Sequence, residues 1–341
     1  MQLTPQAAER VSRESVQQPF DGAAQSVNAD WGTSYDGKQM QRWSEHYGAW
    51  IAAAQEAERR GWNKGKRPDG PENPPELLAV GMDGGRVQER EKDPASQSRW
   101  HEDKVLTISS YQRQPAEEPG GDPEPVRLVT TYVGTMQGSD RFGQLARLEA
   151  ERRGIRQAPE VVVIGDGAAW IDTIADEHFG CHERIIDYYH VAERLEASAK
   201  AVAPVDEDKR KRLAERLKSQ LYQGHVKLVI RWMERQTRAL GPARRSDPAE
   251  HPRRVLSENL CYVQRHQKQM DYPRYRSLGW PIGSGVTESG VKLFNKRVKG
   301  TEQFWNEDGA ESILALRALR LSQDARWQHY WLCGDLPRQA A

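Results

Sequence analysis

The spacing of apolar positions divides the chain into three stretches. Residues 1–62 carry helical spacing. In TPQAAERVSRESVQQ, Thr4 stands where an N-cap belongs and Pro5 at the first helical position. PFDGAAQSVNADWG predicts a second short helix ending at Gly32. TSYDGKQMQRWSEHYGAWIAAAQEAERRG predicts a third, with Gly48 as a break. Short helices around a glycine turn fit a helix-turn-helix and an ordinary helical bundle equally. NKGKRPDGPENPPE, residues 63–76, is rich in Pro, Gly and charge and reads as a linker.

Beyond the linker the runs become β-branched and short. LLAVGMDGGRV (77–87), KVLTISSYQR (104–113) and RLVTTYVGT (127–135) predict three successive strands. SDRFGQLARLEAERRG (139–154) spaces Phe142, Leu145 and Leu148 as a helix and stops at Gly154. EVVVIGDG (160–167) predicts a fourth strand, AAWIDTIADEHF (168–179) a helix, and ERIIDYYH (183–190) a fifth strand. The order β-β-β-α-β-α-β-α is that of an RNase-H-like mixed sheet with flanking helices, an α/β (α+β) class. Residues 191–278 then read as a helical insertion. The remaining 279–341 complete the core with VTESGVKLFNKRVKG and one amphipathic helix, EDGAESILALRALRLSQDARWQHYW.

Charge sharpens this picture. The 341 residues carry a net charge of +1, yet Lys200–Gly300 holds 23 Lys+Arg against 10 Asp+Glu. The rest is therefore about −12, and the segregated basic stretch is the footprint expected for a polyanion partner. The three cysteines are far apart and form no C-x-x-C pair. They suggest neither a zinc site nor a disulfide framework, and a reducing, cytoplasmic compartment. No apolar run is long enough for a membrane span, and the N-terminus lacks a secretory apolar core.

The candidate chemistry lies in carboxylates at strand ends. Asp166 stands between two glycines where the fourth strand stops; locally, Asp-Gly is also a common turn pair. Asp83 sits in GMDGGR of the first strand. In an RNase-H-like sheet these strands are neighbours, so the two carboxylates would face each other and repel unless a cation lay between them. Phosphoryl-transfer enzymes hold two metal ions about 3.5–4 Å apart for this chemistry. Glu288, in PIGSGVTESG, is the best third carboxylate, because Gly283, Ser284 and Gly285 permit close approach.

GMDGGR, VIGDGAAWI, DYYHVAERL, IGSGVTESGVKLFNKRVKG and FWNEDGAESILALR resemble, in order, the sequence blocks of DDE insertion-sequence transposases. The resemblance spans roughly 77–322 and is to the Mutator-like superfamily, ISKra-type branch. It implies an RNase-H-like core interrupted by a helical insertion, with Asp83, Asp166 and Glu288 as the catalytic acids holding Mg²⁺ or Mn²⁺, two ions. It implies a D-x-x-H element at Asp187–His190, in which His190 contacts a scissile phosphate or orients a ligand. Lys292, Lys296, Arg297 and Lys299 follow Glu288 and would hold DNA phosphates, with the three lysines along one face. Trp305 reads first as a packed tryptophan, and Asp172, Asp176 and Glu177 as a solvated helix face. The implied function is transposition: phosphodiester hydrolysis at transposon ends, then strand transfer into target DNA by a homo-oligomer assembled on DNA. A nuclease or resolvase without strand transfer, and a non-catalytic DNA-binding derivative, are the alternatives. Such transposases often carry a longer front than the 62 residues before this linker, which suggests a short member or a truncated reading frame.

Overall fold

The computed structural model describes residues 3–94, 96–300 and 303–332. In chain order, helices α1 (Pro5–Ser15), α2 (Phe20–Trp31) and α3 (Gly37–Trp62) lead to strands β1 (Leu77–Gln88), β2 (Trp100–Gln114) and β3 (Glu124–Thr135). Helix α4 (Ser139–Arg152), β4 (Glu160–Gly165), α5 (Ala169–His178) and β5 (Glu183–Ile186) follow. The helical block is α6 (Tyr188–Val202), α7 (Glu207–Tyr222), α8 (Val226–Leu240), α9 (Pro252–His266) and α10 (Tyr272–Ser277). Helices α11 (Gly285–Val298), α12 (Glu307–Leu321) and α13 (Arg326–Leu332) end the described chain.

The sheet order is β3-β2-β1-β4-β5. β1 to β3 form an antiparallel meander, and β4 and β5 run parallel to β1. This is the RNase-H-like arrangement that the strand order predicts. Both faces of the sheet are covered, which is why its strands are rich in consecutive apolar residues. Leu78, Val80 and Met82 pack with Phe142, Leu145, Ile171 and Ile174 of α4 and α5. On the opposite face Val105 and Tyr132 meet Val291 and Phe294 of α11. Towards β4 and β5, Ile164 and Ile185 join Leu195, Leu217, Val229 and Met233, so the helical block shares a core with the sheet.

Three expectations are corrected. The third N-terminal helix is unbroken at Gly48; the glycine instead admits α12, because a Cβ there would overlap the Ser312 backbone. The fifth strand stops at Ile186, and DYYH begins a helix: Asp187 is the N-cap of α6 and accepts from the Tyr189 and His190 amides. The last helix is two helices. The chain leaves α12 at Ser322 because Ser322 and Gln323 bind the edge of β3: Tyr132 N donates to Ser322 Oγ (3.1 Å) and Gln323 N to Thr130 O (3.0 Å). Those bonds cover an otherwise open strand edge.

Other local readings hold. Thr4 caps α1 by accepting from Ala7 N, with Pro5 in the first turn. Residues 63–76 are almost wholly irregular and lead into β1. The N-terminal helices lie against the C-terminal ones: Trp327 Nε1 donates to Glu9 (2.9 Å), and Arg317 donates to Val16 O. No described helix is long and apolar enough to cross a membrane.

Candidate active site

The last parallel pair between β1 and β4 is Gly81 with Ile164. Two residues further along each chain stand Asp83 and Asp166, so both acids sit where the pairing ends. Asp83 is half-buried, and its Oδ1 accepts from Gly84 N at 2.7 Å. Asp166 is exposed. Its Oδ1 accepts from Ala168 N (2.9 Å) while Gly167 takes φ 80°, so the Asp-Gly turn is also real. The Asp166 carbonyl accepts from Tyr262 Oη at 2.7 Å, which ties this turn to α9 of the helical block.

Glu288 comes from the first turn of α11, and a glycine sets the position of that helix. A Cβ on Gly81 would overlap Thr287 Oγ1, which instead lies 2.8 Å from Thr107 Oγ1 over the bare strand. With Thr287 seated beside Gly81, Glu288 follows one residue on. Burial raises the Asp83 carboxyl above its ordinary value; the Asp166 and Glu288 charges add to the rise, while His190 and the Gly84 amide oppose it. Asp83, Asp166, Glu288 and His190 therefore share one electrostatic field.

Asp187 fixes the other half of the site. It is fully buried. Its Oδ1 accepts from Tyr189 N (2.6 Å), its Oδ2 from Ser284 N (2.7 Å), and the Ser284 hydroxyl donates to Oδ2 as well. Tyr188 N donates to Ile282 O at 2.9 Å beside it. One carboxylate thus joins the start of α6 to the start of α11. His190, in the first turn of α6, has Nδ1 3.3 Å from Asp187 Oδ2 and 4.0 Å from Glu288 Oε1. The Asp187 carboxylate first, then Glu288 and Asp166, push the imidazole up to about 9 against the effect of burial. The surrounding carboxylates thus favour the protonated imidazole.

The donor chemistry suits a hard divalent cation. Three carboxylates in one field repel, and oxygen donors favour magnesium or manganese. Asp187, His190 and Glu288 also bring donor atoms within 4.8 Å of one another. Asp187, however, already accepts four hydrogen bonds from Tyr189, His190 and Ser284, which suits it to anchoring.

The basic residues after Glu288 do not act as one set. Lys292, Lys296 and Lys299 are exposed, with Lys292 Nζ 3.7 Å from Glu288 Oε2. Arg297 is 1% exposed and must be removed from the expected DNA-facing group. It stands three residues after Phe294 on the buried face, donates to Ser15 O, and lies over the rings of Phe20 and Trp305. Trp305 is packed, and its Nε1 donates to Val298 O (2.9 Å). Asp172 and Asp176 pair with Arg184.

One group escapes the sequence reading. Asp103 of β2 is opposite Gly85, on the same sheet face as Asp83. It is fully buried, and neither oxygen has a partner beyond its own amide. A Cβ on Gly85 would run into this carboxylate and Asn295 Oδ1. Burial, with Glu102 and Asp83 adding to it, holds Asp103 at about 6. The signal was present: glycines flank Asp83 at i−2 and i+2, marking close approach to that strand face.

No family model matches the chain, and no curated protein does. Among solved structures it is similar to one described as the Drosophila P element transposase strand transfer complex. That likeness has a TM-score of 0.41 and 8% identity, over 93% of this chain and 92% of that one.

Proposed function

We propose that the protein is a DNA transposase of the DDE type, of the Mutator-like, ISKra-type kind that its sequence blocks resemble. It hydrolyses a phosphodiester at each transposon end, and the freed 3′-hydroxyl then attacks target DNA, with two ends paired by an assembly of copies. The observation that supports this reading best is that the Asp166 and Glu288 charges act on Asp83, with both aspartates just past the end of the β1–β4 pairing of an RNase-H-like sheet.

In this reading the three carboxylates hold Mg²⁺ or Mn²⁺. When bound, two such ions activate the attacking oxygen and stabilise the leaving one. The chain's own residues do the rest. The Asp187 carboxylate, 3.3 Å from His190 Nδ1, attracts the ring as an ion-pair partner, and the other ring nitrogen is the one proposed to donate to a phosphate oxygen and stabilise its developing charge. Lys292, Lys296 and Lys299 line up backbone phosphates beside Glu288 without reading sequence.

The test uses a labelled duplex ending in the element's terminal sequence, a target duplex and Mg²⁺ or Mn²⁺. Wild type is expected to cut and join. Asp83→Asn, Asp166→Asn and Glu288→Gln are expected to do neither while still unfolding cooperatively. His190→Ala is expected to slow cleavage about tenfold to a thousandfold with little loss of DNA binding. Cutting without joining would favour a nuclease. Wild-type turnover in Asp166→Asn would remove the mechanism altogether.

A further inference from the structure

We infer that a groove between α7 and α8 binds the phosphodiester backbone of duplex DNA through Arg216, Arg231, Arg235 and Arg238. The inference rests on the reading of the protein as a DNA enzyme and adds a second contact surface, separate from the α11 lysines. Arg231, Arg235 and Arg238 are spaced by four and three on α8, which places them along one helix face. Arg216 of α7 lines the same groove, and all four are exposed.

Their pairing state differs from that of several basic neighbours. On the same α7, Arg210 and Lys211 pair with Glu207, and Lys218 with Glu196 and Glu215. Among the described residues, none of the four groove arginines has an acidic partner within ion-pair distance. Glu234, the acid lining the groove, accepts from Gln264 Nε2 at 3.1 Å. Like charges one helical turn apart repel, so the fold keeps a row that an anion would relieve.

The dimensions suit a nucleic acid backbone. Seven residues of helix span about 10 Å. Over the same length duplex DNA presents roughly six charges, at one per ~1.7 Å of axis. Guanidinium groups present paired donors that match phosphate oxygens. Such contacts hold and orient DNA without selecting sequence.

The experiment is equilibrium binding of the full chain to a fluorescent mixed-sequence duplex across a salt series. The variants are Arg231→Gln/Arg235→Gln/Arg238→Gln and, as a lighter perturbation, Arg235→Glu alone. Wild type should show a steep log–log salt slope. The triple variant should lose roughly two to three units of that slope, at ~0.9 per phosphate contact, and at least tenfold in low-salt affinity. Arg210→Gln/Lys211→Gln, which removes paired charges on α7, should bind as wild type. If wild type binds with a steep slope and both groove variants match it, the groove inference fails and the transposase reading survives. If wild type does not bind duplex DNA, both fail. If the triple variant keeps DNA affinity but loses self-association, the groove is a protein interface and the inference is overturned.

Discussion

Two buried aspartates in this molecule should answer pH in opposite senses. Burial alone would raise the Asp187 carboxyl, but hydrogen bonds from His190, Ser284 and Tyr189 outweigh it and hold the group below its ordinary range. A depressed value means stabilisation that is present above the unfolded pKa and lost as pH falls through the folded one. Asp187→Asn should therefore melt lower than wild type at pH 7, and the two melting temperatures should converge below about pH 4. Asp103 is the reverse. Held at about 6, it favours the fold only when protonated, so its contribution is full below the unfolded pKa and lost as pH rises through 6. Asp103→Asn should stabilise the protein at pH 8, on the order of 3 kcal/mol, and should leave it unchanged below about pH 4. Thermal melts across pH check both variants. A destabilised Asp103→Asn at pH 8 would mean that the carboxylate has a partner in solution.

At the scale of elements, glycines decide which helices meet. Gly48 lets α3 lie backbone to backbone against α12, and Gly81 seats Thr287 of α11. Gly48→Leu should force these helices apart and cost about 1–3 kcal/mol, the range for overpacking, read as a lowered denaturation midpoint. The same elements show what sequence alone reveals. Strand order, the two strand-end acids and the Glu288 helix follow from local pattern, because apolar period and turn residues are local signals. The start of α6 was hidden because Ile185, Ile186 and two tyrosines continue a strand-like run, while the cap that ends it is completed by Ser284, 97 residues away. The break after Leu321 was hidden for the same reason: its cause is the edge of β3. Arg297 was misassigned because its charge suggests solvent, whereas Ser15 and Phe20, distant in sequence, receive its guanidinium. Asp103 has no signature in its own strand; the glycine spacing around Asp83 marks only that something approaches, and the burial exists only once β2 pairs with β1.

For the whole molecule, the metal site proposed at Asp83, Asp166 and Glu288 predicts stabilisation by divalent cations. Millimolar Mn²⁺ should raise the melting temperature of wild type, since a ligand that binds only the folded state stabilises it by mass action. It should raise that of Asp83→Asn/Asp166→Asn little or not at all, and chelation should reverse the effect. Equal shifts in both would place the binding elsewhere. The Asp187 clamp has a further consequence, for the ribosome. Asp83, Asp166 and His190 emerge first, but Glu288 follows Asp187 only after 101 more residues, about 5–20 s of synthesis at typical rates. Until Ser284 appears, the anchor that Asp187 offers to α11 has nothing to hold. A chain that stops before α11 carries all five strands and still lacks Glu288. On the proposed function, the site would thus stay unassembled until α11 has been made.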